Sequence, residues 1–190
     1  MNLDFQTEPR AELPRCIRFV VIAALIGLAG CASAADPGAM TVAAVQTQTM
    51  AFPQPLAHAM CVRNVTGGEA TNPMWASKVD NDGFRAALAA SLDTAGLSAA
   101  ATSCSYPLDV NLLGLSQPAL GLDMTVTSHV NYKVYDRSGQ PFLMETIDAP
   151  YTAKFSDSLV GVKRLRMANE GSIRESIQRL LEKLRASTPR

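Results

Sequence analysis

The sequence predicts an α+β fold: a two-layer sandwich in which a mostly antiparallel four-stranded sheet is covered on one face by two helices, in the order β-α-β-β-β-α. Three observations lead there. Residues 122–135 alternate apolar and polar side chains, the period-two signature of a strand with one buried and one wet face. Two other segments, 84–95 and 173–184, place their apolar residues at the i, i+3 or i+4, i+7 spacing that makes one stripe along a helix. A helical stripe must be buried against something, and a one-faced sheet supplies the surface. The chain has 190 residues, 47% apolar and 18% charged, which is long enough for one core and too apolar for a disordered chain.

The elements follow in order. His58 to Val65 is β-compatible and is stopped by the turn signal Thr66-Gly67-Gly68. Phe84, Ala87, Leu88, Ser91, Leu92 and Ala95 form the first helical stripe, with Asp80 or Asn81 as its cap and Gly96 just past its end. Leu108, Val110 and Leu112 alternate with polar neighbours in a second strand. The long strand from Leu122 to Tyr135 is the third, and Asp136-Arg137-Ser138-Gly139 turns the chain. Leu143, Ile147, Ala149, Tyr151, Ala153 and Phe155 are the inner row of a return strand, where Pro150 marks a bulge or a sheet edge. Ile173, Ile177, Leu180, Leu181 and Leu184 make the last helix, started by Asn169 or by the Ser172 to Glu175 capping box. A right-handed β-α-β crossover makes the first two strands parallel.

The domain so defined spans 57–187. Residues 1–30 read as a signal peptide: Arg15 and Arg18 precede the apolar run Phe19 to Gly30, too short for the roughly 20 residues of a membrane span. The run ends in Leu28-Ala29-Gly30-Cys31, which resembles a bacterial lipobox. That resemblance implies a diacylglycerol on the Cys31 thiol, an N-acyl chain such as palmitate after cleavage, and a lipid anchor in the membrane as the only cofactor. With Ala32 rather than Asp next, it also implies a periplasm-facing place at the outer membrane. Ordinary secretion with cleavage at Ala32-Ser33-Ala34 is the alternative, and a buried core helix at 19–30 a further one. Residues 31–56, rich in Ala, Thr, Gln and Pro, read as the lipidated cysteine and a flexible tether, or with a short strand at Thr41 to Val45.

No catalytic motif is present: G-x-S-x-G and H-E-x-x-H are both missing. His58 and His129 read as solvated strand residues, and Asp80-Asn81-Asp82-Gly83 lacks the ligands of a calcium loop, so no metal is expected. A non-enzymatic protein follows. Cys61 and Cys104 are either a disulfide or two buried thiols. Seventeen basic and seventeen acidic side chains cancel, which argues against nucleic acid as a partner. The balance hides a C-terminal segment, Lys163 to Arg190, with eight basic and three acidic residues.

Topology brings three loops to one sheet edge: 66–78, 115–121 and 156–168. Their candidate partner-binding residues are Met74, Trp75, Leu120, Arg164 and Arg166, a mix of apolar anchors and arginine suited to an interface. Alternatively, Trp75 plugs the open end of the sandwich. The expected partners are an envelope protein, or lipid or lipopolysaccharide held by the basic last helix.

The segments TGGEATNPMWASKVDNDGF and APYTAKFSDSLVGVKRLRMANEGSIRESI, with the lipobox, give the chain its resemblance to small proteobacterial envelope lipoproteins of unassigned function. In element order it also resembles the lipopolysaccharide-assembly lipoprotein that plugs an outer-membrane barrel. These resemblances imply an envelope assembly or maintenance factor and bring no catalytic residues.

Overall fold

Alternation along the strands builds the sheet. The computed structural model describes residues 33–71 and 77–189. Its strands are β1 (Met60–Thr66), β2 (Tyr106–Ser116), β3 (Met124–Tyr135) and β4 (Pro141–Ala153), hydrogen-bonded in the order β1-β2-β3-β4. β1 and β2 are parallel, and the other two pairs are antiparallel. β4 is an edge, which is where a strand can hold Pro150 without breaking a ladder. The inner rows, including Leu108, Val126, Val130, Tyr132, Val134 and Ala149, are fully buried. Among the described residues four α-helices accompany them: α1 (Pro37–Met40), α2 (Ala44–Thr47), α3 (Asn81–Thr94) and α4 (Gly161–Ala186). Phe84, Leu88 and Leu92 of α3 and Ile173, Ile177, Leu180, Leu181 and Leu184 of α4 close the core. Asp80 caps α3, its Oδ1 accepting the Gly83 amide at 2.7 Å.

Four boundaries differ from the sequence reading. His58 lies before β1 at φ 49°, in a turn and not in the strand. Leu122 and Phe155 lie outside β3 and β4 and are 72% and 43% exposed, because the sheet ends before them. α4 begins at Gly161, about two turns ahead of the expected caps. Asn169 and Ser172 are therefore buried mid-helix residues. Asn169 finds a tertiary partner and Ser172 one in its own helix: the Asn169 amide donates to the Ser77 carbonyl at 2.8 Å, and the Ser172 hydroxyl donates to the Asn169 carbonyl at 3.0 Å.

The largest correction concerns the expected tether. Its described part, 33–56, is packed into the domain: Met40, Val42 and Leu56 are fully buried, and α1 contacts both α3 and α4. The Val42 amide donates to the Ser91 hydroxyl of α3 at 3.0 Å. A few large apolar residues among Ala, Thr and Pro make no periodic stripe, yet Met40, Val42 and Leu56 are each buried in the one core. The signal-peptide segment and Cys31 lie outside the described residues.

α4 crosses β4 at Gly171, where the Tyr151 ring lies in the space a side chain would take. In an isolated helix Gly to Ala would gain up to about 1 kcal/mol. Here Gly171→Ala is expected to cost about 2 kcal/mol, since forced overpacking outweighs propensity. Urea denaturation measures it, and a gain in stability would refute the close approach.

Candidate interaction surface

The three segments meet at the end of the sandwich where β1, β2 and β4 finish and β3 begins. A polar network joins them. Gln117, beyond β2, donates from Nε2 to Asn169 Oδ1 at 2.7 Å and to the Ser77 carbonyl at 3.1 Å. The Ser77 hydroxyl donates to the Ser33 carbonyl at 3.0 Å, and Arg166 donates to the Ser33 hydroxyl at 2.7 Å. The N-terminal entry, the end of the 66–78 loop, the β2–β3 hairpin and α4 are thus held as one piece.

Arg164 joins the other two loops. It is only 5% exposed, and its guanidinium donates to the carbonyls of Ser158 at 2.6 Å and Gly121 at 3.4 Å while lying 5.1 Å from the Phe155 ring centroid. The Phe155 amide donates to Asp123 Oδ1 at 2.8 Å across the same seam. Arg164 and Arg166 are therefore not free anchors for a partner. The helix starts early enough to turn Arg164 inward onto carbonyls, while Arg166 keeps 30% of its side-chain exposure and is engaged by the Ser33 hydroxyl and by Glu170 at 3.2 Å. Leu120 does stand outward, 90% exposed, with Leu159 at 78%, Leu122 at 72% and Val160 at 52%. Met74 and Trp75 lie outside the described residues.

The basic C-terminal helix is similarly engaged. Arg179 pairs with Glu175 and Lys183 with Glu145, and Arg174 donates to the Ala39 carbonyl at 2.6 Å. Its charge excess is spent largely on the domain itself.

Glu170 is buried beside this network and accepts the Asp36 amide at 2.8 Å. Burial raises its pKa above the ordinary value, with the Asp36 amide and Arg166 opposing. The folded state then holds a proton that the unfolded chain releases, so this group's contribution to stability falls as pH rises from the ordinary glutamate range through the raised value. Glu170→Gln cannot ionise. Its stability relative to the wild type is expected to increase across that window, and parallel pH–stability curves for the two proteins would refute the shift.

One constellation was not read from the sequence. A bulge between Leu112 and Gly114 shifts β2 by one residue, which turns Ser116 onto the open face beside His129. The Ser116 hydroxyl is 2.9 Å from His129 Nε2, and His129 Nδ1 is 2.7 Å from Asp148 Oδ1. The order Ser–His–Asp is that of a hydrolase triad. Its setting is not: the His129 and Asp148 side chains keep 35% and 64% of their exposure on an open sheet, without the dry walls that give such sites their electrostatic strength. It continues the cross-strand polar pairs Thr125–Thr152 and Asn131–Thr146 on the same face. The strand-end bulge that creates it leaves no signal in a single sequence. Among the described residues no group of His, Cys, Asp and Glu is arranged to hold a metal.

No protein-family model matches the chain, and no curated protein does. Among solved structures it is similar to a protein from Xanthomonas campestris, at 11% identity and TM-score 0.48, covering 71% of this chain and 90% of that one. It is also similar to a minor lipoprotein from Acinetobacter baumannii, at 12% identity and TM-score 0.45, covering 68% and 94%. Likeness this faint fixes neither family nor function.

Proposed function

We propose that the protein is an envelope lipoprotein, acylated at Cys31 and held at the outer membrane facing the periplasm, whose domain is a non-enzymatic binding module serving envelope assembly or maintenance. The observation that carries this reading is Leu28-Ala29-Gly30-Cys31 placed directly after a basic flank and an apolar core of signal-peptide length. The diacylglycerol and N-acyl chains give more than one acyl anchor, and attachment with two or more is stable where one chain alone is marginal. The open polar sheet face and the lack of a walled polar cleft around Ser116, His129 and Asp148 favour binding over catalysis. Of the surfaces described, the loop end favours contact with an envelope component, because it alone gathers several exposed large apolar side chains from two loops.

The test is metabolic labelling with an alkynyl fatty acid followed by membrane fractionation. The wild type is expected to take up label and to pellet with membranes. Cys31→Ser is expected to do neither, and a serine variant that still pelleted fully with membranes would sink the reading.

A further inference from the structure

We propose that the envelope component met by the loop end is the bilayer itself: Leu120, Leu122, Leu159 and Val160 enter the lipid interface next to the acylated N-terminus. The inference rests on acylation of Cys31 as proposed above, and adds a second, non-covalent membrane contact made by the folded domain.

The course of the N-terminal segment is the first argument. Ser33 touches Arg166, Asp36 touches Glu170, Ala39 touches Arg174 and Gln46 touches Gln178. These contacts climb α4 in one direction, so the segment runs alongside the helix from its N-terminal end. Ser33, the first described residue, therefore lies toward that end, the end at which Val160 caps α4. Cys31 is two residues before Ser33, a span of at most about 7 Å. Val160 and Arg166 are separated by about 9 Å of helix rise. Because 33–56 is packed and not a tether, no slack remains to hold the loops away from the membrane to which Cys31 is attached.

The composition of that end is the second argument. Isolated exposed apolar residues are ordinary, but these four sit on two loops fastened together by Arg164 and by the Phe155 to Asp123 hydrogen bond. Two exposed acids share these loops, each with an oxygen taken up by a backbone amide: Asp123 accepts the Phe155 amide, and Asp157 accepts the Lys154 amide at 2.8 Å. Lys154 and Lys163 stand exposed beside the apolar tips. Apolar tips within a charged rim of Lys154, Lys163, Asp123 and Asp157 match an interface in which the tips enter the acyl boundary and the charged groups stay at headgroup level.

The test uses the acylated full-length mature protein reconstituted into vesicles of phosphatidylethanolamine and phosphatidylglycerol. With Cys31 acylated and Cys61 bonded to Cys104, a single introduced cysteine can carry an environment-sensitive dye. Dye at Leu120→Cys and at Leu159→Cys is expected to shift to the blue and to be quenched by lipids labelled near the headgroup. Dye at Ser138→Cys, in the β3–β4 turn at the opposite end, is expected to report water. Flotation of the protein with the vesicles reports the anchor separately. Protein that floats while all three dyes report water overturns the second contact and leaves the lipoprotein reading intact. Dyes that report water on pure lipid but burial in native membranes assign the patch to a membrane protein and overturn the lipid contact. Protein that does not float removes the premise and the inference with it.

Discussion

Replacing both Cys61 and Cys104 by serine is expected to cost the domain about 4 kcal/mol, the chain entropy regained when a loop of this length opens. The two cysteines are joined across a separation of 43 residues, with Cα atoms 5.6 Å apart. Between them lie the rest of β1, α3 and the 3-10 turn at Ala101–Ser103, so the bridge closes the whole β-α-β crossover. That matters because β1 is an edge strand, held by parallel pairing to β2 along one side and by a single parallel bridge, Met60 to Ser98, on the other. A loss of this size is a large share of the 5–15 kcal/mol that folds a typical domain. Guanidinium titration of the double variant beside the oxidised wild type measures it, and a difference under about 1 kcal/mol would refute the bridge as a main support of the crossover.

A second large effect is expected from Gly67→Ala, at about 3 kcal/mol. Gly67 has φ 81°, and a methyl group there would run into the backbone carbonyl of Leu112 and the side chain of Asn111. The left-handed backbone alone costs an alanine about 1–2 kcal/mol, and overlap with a strand that cannot retreat adds about 1–3. The consequence is local as well as global. Thr66, paired with Asn111 at the end of β1, would lose its register, and with it the hydrogen bonds from its hydroxyl to the Val110 carbonyl and the Asn111 side chain. Hydrogen exchange at 64–66 should speed up ahead of the rest of the sheet. Unchanged exchange together with unchanged stability would show that the strand end has room to spare.

Much of the fold was legible because its signals are periodic. The stripe from Phe84 to Leu92 and the row from Met124 to Val134 each repeat with one period, and each sits where that period puts it. What the sequence hid was decided by single residues acting at long range. Met40 and Val42 lie in a stretch of linker composition, and only packing against the rest of the domain makes them core. Arg164 and Arg166 have the composition of an interface, but an α4 that begins at Gly161 turns them toward carbonyls and Glu170. Asn169 and Ser172 have the chemistry of caps, which a buried side chain can also use to satisfy Ser77 and its own helix. Of the candidate surface, Leu120 stands as exposed as its loop suggests; its neighbours Leu122 and Phe155 carry a strand's alternation past the point where pairing stops.

The packing of 33–47 against α4 also orders the making of the protein in time. The hydrogen bonds from the Asp36 amide to Glu170 and from Arg174 to Ala39 span 134 and 135 residues. Contacts between such distant parts of a chain form late, after the intervening loop has closed. Residues 33–47, synthesised before the sheet, therefore rest on a seat built from the last helix. Until the final helix has folded, only the earlier partners Ser77, Lys78 and Ser91 are there to hold the segment, and its seat along α4 is filled last.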